Sequence, residues 1–76
     1  MLLAFALCVG SRIVIPEMTV AEAMVEVCQI NSNPGLQHAG YEVVAIDGDT
    51  IIGSVHFNQS SKLAVYAEDG ELVQQL

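Results

Sequence analysis

The sequence predicts an α+β fold: one amphipathic helix packed on an antiparallel β-meander of about four C-terminal strands, preceded by one or two N-terminal strands. Three observations carry this expectation. Thr19-Val20-Ala21-Glu22 matches a capping box, in which hydroxyl and carboxylate satisfy the amides that a helix start leaves unpaired. Apolar residues then recur at three- and four-residue spacing as far as Ile30. From Gly40 onward the pattern changes to short apolar runs separated by Asp-Gly and polar turn signals, as hairpin-linked strands require.

With 76 residues the chain is a single small domain, residues 1–76, and a domain of this size buries a modest share of its surface. A hydrophobic content of 53% against 14% charged residues excludes a disordered tail and suits a compact core or an assembly. Nine acidic residues face only two basic ones, Arg12 and Lys62, for a net charge of −7. That charge repels phosphates and anionic lipid and argues against nucleic acid as a partner. The acids are scattered, as on a solvated surface, and form no run.

The first element is the segment MLLAFALCVGS, whose apolar stretch Leu2–Val9 and following Gly10-Ser11 look like the core and cleavage site of a secretory signal. It lacks a basic start and is too short to span a bilayer, which takes about 20 apolar residues. The preferred reading is a buried strand of a cytoplasmic protein that continues, after a break at Gly10-Ser11, into Arg12–Ile15 and ends at Pro16. The alternative is an exported protein with residues 1–11 removed.

A helix from Val20 to Ile30 follows. Val20, Ala23, Met24, Val27 and Ile30 form its buried stripe, and Glu22, Glu26 and Gln29 its wet one. Asn31–Gly35 (NSNPG) stops it, since proline lacks an amide hydrogen and glycine favours turns. The strands GYEVVAI, TIIGSVHF, KLAVYA and LVQQL come next, with Asp-Gly turns at residues 47–48 and 69–70.

Side chains alternate along a strand, so the turns assign faces. With a two-residue turn at Asp47-Gly48 or Gly48-Asp49, one face carries Tyr41, Val43, Ala45, Ile52, Ser54, His56, Leu63, Val65, Ala67, Leu72 and Leu76, and packs on the helix. The other holds Glu42, Val44, Ile46, Ile51, Gly53, Val55, Phe57, Lys62, Ala64, Tyr66 and Val73, which is too apolar for the solvated side of an antiparallel sheet. Patches beyond a few hundred Å² mark interaction sites. The expected interaction face is therefore Val44, Ile46, Ile51, Val55, Phe57, Tyr66 and Val73. It could be covered by the N-terminal segment, by a different protein or by a second copy. A homodimer has the best prior, through this face or through an edge strand extended by the N-terminal segment.

Catalytic, cofactor and metal sites are not expected. His38 and His56 with Glu42, Asp47 or Asp49 show no ligand spacing, and Asp47-Gly48-Asp49 reads as a turn rather than a calcium loop. Cys28, His38 and Asp47 could form a nucleophile, base and orienter, but nothing in their spacing selects them. Cys8 and Cys28 read as reduced thiols, with a bridge conceivable only after export. Asn58-Gln59-Ser60 is a glycosylation sequon that matters only in a eukaryotic secreted protein.

The stretch YEVVAIDGDTIIGSVHF, residues 41–57, resembles the central hairpin of GNAT-type acetyltransferases. In that family a Gly-rich turn then opens a helix that holds the coenzyme's pyrophosphate. Here Asn58–Ser61 leads into another strand, so the resemblance implies a hairpin and does not imply acetyl transfer. The functional expectation is a small acidic, non-catalytic protein-interaction module. Two alternatives remain. One is an acidic nucleic-acid mimic that sets Glu17, Glu22, Glu26, Asp47 and Asp49 against a basic protein; the other is an exported envelope domain.

Overall fold

The computed structural model describes residues 3–76; Met1 and Leu2, the start of the signal-like segment, lie outside them. The elements are β1 (Ala4–Val9), β2 (Arg12–Met18), α1 (Val20–Ser32), α2 (Pro34–His38), β3 (Tyr41–Asp47), β4 (Thr50–Phe57), β5 (Leu63–Tyr66) and β6 (Leu72–Gln75). All six strands join one antiparallel sheet in the order β2-β1-β3-β4-β5-β6. This is the α+β architecture expected from the sequence, with α1 and the short α2 carrying the chain from the β2 edge back to the other side of β1.

The signal-like segment is thus a central strand. β1 pairs with β2 on one side and with β3, from Ala4↔Ile46 to Val9↔Tyr41, on the other. It lies within the sheet, so it neither covers a face nor extends an edge, as two of the expected interfaces required. Pro16 does not end β2 either. It sits inside that edge strand where the register shifts, between Ile15↔Leu7 and Met18↔Phe5, a place where a missing N–H leaves no ladder bond broken.

α1 begins as the capping box requires. The Glu22 amide donates to Thr19 Oγ1 and the Thr19 amide to Glu22 Oε1, each at 3.1 Å. The helix ends where Asn33 turns extended. Asn33 then caps a second helix, its Oδ1 accepting from the Gly35 amide at 3.0 Å, with Pro34 at the first position, where it forfeits no bond. So NSNPG stops one helix and starts another. The Gln37 side-chain amide closes the joint by donating to the Ile30 carbonyl at 2.9 Å.

The main core lies between α1 and the sheet. Phe5, Leu7, Val43, Ala45, Val55, Leu63 and Val65 project toward Met18, Ala23 and Val27. The stripe that α1 buries is narrower than expected: Ala23 and Val27 are buried and Ile30 is partly so, but Val20 and Met24 are 46% and 42% exposed. Positions 23, 27 and 30 form a single i, i+4, i+7 seam facing the sheet, and α2 meets α1 at its C-terminal end, through Gln37, away from Val20 and Met24.

Two irregularities redistribute the side chains of the meander. The β3–β4 turn is Gly48-Asp49, since Asp47 pairs with Thr50 and Gly48 has φ +62°. Ile46 then opposes Ile51, but Ala45 opposes Gly53. Ile52 is therefore an extra residue, a β-bulge, and parity inverts from Gly53 onward. A second shift places Leu72 opposite Tyr66 and Gln74 opposite Val65, leaving Val73 as the extra residue. At Gly53 β4 and β5 approach closely: a Cβ there would collide with the Tyr66 carbonyl group.

Candidate functional site

The bulge corrects the expected interaction face. Directly opposed residues of an antiparallel pair share a face, so Val55↔Val65 and Phe57↔Leu63 place Val55 and Phe57 beneath α1. Val55 is 2% exposed within the main core and Phe57 packs against that core. Ser54 and His56, expected under the helix, lie on the opposite, outer face with Tyr66 and Ala64. Leu72 also moves to the outer face by pairing with Tyr66. Val44, Ile46, Ile51 and Tyr66 stand on the outer face as expected, while Val73 sits in the second bulge, 40% exposed.

What remains on the outer face is smaller at its centre and larger at its rim. β1 contributes Ala6 and Cys8, which with Val44 form a buried cluster against which Ile46 packs. Ala64, two strands away on the same face, is also buried, whereas Ile51 at the rim is 56% exposed. Small side chains flanked by larger ones make the face concave. A groove of about 300 Å³ opens on it: buried Cys8 and Val44 and half-buried Ser54 form its floor, exposed Glu42, Ile51 and Glu68 its walls, and Gly10, Ser11, Ile52 and Gly53 complete the lining. That volume is at the lower end of the range for ligand sites.

Polar groups in the groove are few. The Ser54 hydroxyl donates to Glu42 Oε1 across the β3–β4 pair. Cys8 opposes Glu42 on the other side of β3. Burial pushes the Cys8 thiol above its ordinary 9.0, and the Glu42 carboxylate pushes it the same way. A thiol held protonated is a poor nucleophile. The groove can therefore accept hydrogen bonds and bury apolar groups, but its cysteine is not activated. Next to it the rings of His56 and Tyr66 lie 6.2 Å apart at 42°, offering aromatic surface.

The other candidate residues do not assemble. His38 ends α2 before β3 begins, and Asp47 ends β3. Six extended residues, on the order of 20 Å, separate them, so Cys28, His38 and Asp47 form no triad. Cys28 is exposed on α1, while Cys8 is buried on the face that α1 does not cover; both are free thiols. Among the described residues no three His, Cys, Asp or Glu side chains lie together as a metal site would need. Glu22 spends one carboxylate oxygen on the Thr19 amide. Asn58 turns its side chain into the β4–β5 loop, where Oδ1 accepts from the Ser60 and Lys62 amides at 2.8 and 3.0 Å. Among the described residues no helix is long and apolar enough to cross a membrane.

Sequence reasoning missed the β1 floor of the groove and the acids on its wall. The floor had a signal: in Ala4–Val9 small residues (Ala4, Ala6, Cys8) alternate with large ones (Phe5, Leu7, Val9), as in a strand with a thick layer on one side and an open hollow on the other. Gly53 inside a strand pattern was the signal for the bulge. In comparisons with protein families, curated proteins and solved structures, the chain matches none.

Proposed function

We propose that this chain is a non-catalytic protein-interaction module that docks through the outer face of its sheet. One observation carries the reading: an apolar sheet face with a groove in it, running from Val44 and Ile46 through Ile51 to Tyr66 and Leu72, has no helix over it among the described residues, because α1 lies on the opposite side. Burying such a face gains about 25 cal/mol per Å² of apolar area, a large increment for a domain with the marginal stability usual at this size. The raised pKa of Cys8 and the dispersal of Cys28, His38 and Asp47 support a binding role over a catalytic one.

The test selects peptides from a random displayed library and weighs the protein in solution, using wild type, Ile51→Asp and, as a control on the helix surface, Met24→Asp. The expected result is capture, or a mass above the 8.1 kDa of one chain, that is lost in Ile51→Asp and kept in Met24→Asp. Association indifferent to Ile51→Asp, or none of either kind, would overturn the proposal.

A further inference from the structure

We infer that the occupant of the outer groove is an extended segment of another protein that carries lysine or arginine beside an apolar residue; this rests on the docking role proposed above. Charge complementarity selects it. Nine carboxylates against two cationic side chains leave at least seven (9 − 2) with no lysine or arginine in the chain to pair with. Two of the nine, Glu42 and Glu68, stand on the groove wall beside Ile51, above an apolar floor that includes Cys8 and Val44. Glu42 uses one oxygen to accept from Ser54, and its other oxygen remains available to a donor.

A basic side chain fits this arrangement in both its parts. Its methylene stem lies along apolar surface while the charged head reaches a carboxylate at the rim. An apolar neighbour on the same strand face then fills the hollow over Cys8, Val44 and Ser54. The volume of about 300 Å³ takes a few side chains rather than a whole helix, which favours an extended segment. A second copy fits less well. Groove against groove, it would bring Glu42 and Glu68 of each chain together and sum two charges of −7 to −14, with like charges opposed and no added cation between them.

The test titrates labelled octapeptides that alternate lysine with valine, glutamate with valine, or serine with valine into the full chain, at low and at moderate salt. Binding of the lysine–valine peptide alone is expected. It should weaken about tenfold in Glu42→Gln/Glu68→Gln, the loss of two exposed charge pairs, and weaken again with salt. Both substitutions are at the surface, so circular dichroism and the denaturation midpoint should match wild type. Equal binding of the serine–valine peptide, or lysine–valine binding unchanged in the double variant, overturns the basic occupant. If that binding is nonetheless lost in Ile51→Asp, docking at this face stands. A salt-insensitive dimer dissolved by Ile51→Asp, with no peptide bound, also replaces the basic segment by a second copy. With no peptide bound and no association dependent on Ile51, both proposals fall.

Discussion

Beneath α1 the sheet presents Phe5, Leu7, Val43, Val55, Leu63 and Val65; on the far side the same strands present Ala6, Cys8, Val44, Ser54, Ala64 and Tyr66. Both sets are largely apolar, but they differ in bulk. Large branched and aromatic residues fill the layer between sheet and helix, where close packing supplies stability. Small residues floor the opposite face and leave a hollow rimmed by Ile51 and carboxylates. One strand thus serves two layers of different thickness, and the hollow side is free to take on a partner because the bulky side already holds the fold.

The strongest way to break this contrast is to alter the bulge that enforces it. Gly53→Val puts a branched side chain where even a Cβ meets the Tyr66 carbonyl. A loss of more than about 3 kcal/mol is expected, since backbone rather than a flexible side chain must yield. Urea denaturation followed by circular dichroism measures it. Val55→Asp buries a charge at a site 2% exposed and should leave the chain unfolded, at a cost of several kcal/mol. Ile51→Asp, two strand positions before Gly53 on the opposite side of the sheet, should cost less than about 0.5 kcal/mol. If the two aspartate variants are equally destabilised, the faces have been assigned wrongly.

Smaller effects sharpen the same comparison. Leu7→Ala, on the bulky face, should cost about 3 kcal/mol. Thr19→Ala removes the hydroxyl that caps Glu22 and should lower the denaturation free energy by about 1 kcal/mol. The smallest effect is at Cys8. Its pKa is raised in the folded chain, first by burial and then by Glu42, so the unfolded chain loses the thiol proton first. Its contribution to stability is full below pH 9.0 and shrinks as pH rises from there toward the folded value. The stability difference between wild type and Cys8→Ala should therefore narrow above pH 9 and stay flat from pH 6 to 8. In native protein a thiol reagent should label Cys28 promptly and Cys8 only on unfolding.

The helix start, the turn positions and the C-terminal meander were legible in the sequence because each rests on local chemistry. Thr19 and Glu22 bond within one turn, and Gly48 and Gly70 adopt the positive φ that their turns need. Faces were legible except along β4 beyond its bulge and at the start of β6. Val44, Ile46 and Ile51 precede the extra residue and were assigned correctly; Val55 and Phe57 follow it and were inverted, since one inserted residue moves the following side chains across the sheet. Leu63, Ala64, Val65 and Tyr66 came out right again, because Phe57 pairs with Leu63 over a five-residue loop, one longer than expected, and this second slip cancels the first. The groove itself needed tertiary pairing. Cys8 meets Glu42 only because the helical excursion returns β3 to the side of β1, and no spacing along the chain encodes that neighbour. Pro16 misled for a related reason: it is excluded from central strands and acceptable at an edge, and the edge position of β2 emerges only from the assembled sheet.

The claim that the outer groove docks a basic extended segment is tested most directly by amide chemical-shift mapping of the isotopically labelled chain, titrated with the lysine–valine octapeptide. Shifts confined to Cys8, Glu42, Val44, Ile51, Ser54 and Glu68, and absent in Ile51→Asp, are the expected result. Shifts centred on Val20, Met24 and Val25, the exposed side of α1, or no shifts at any residue, would contradict it.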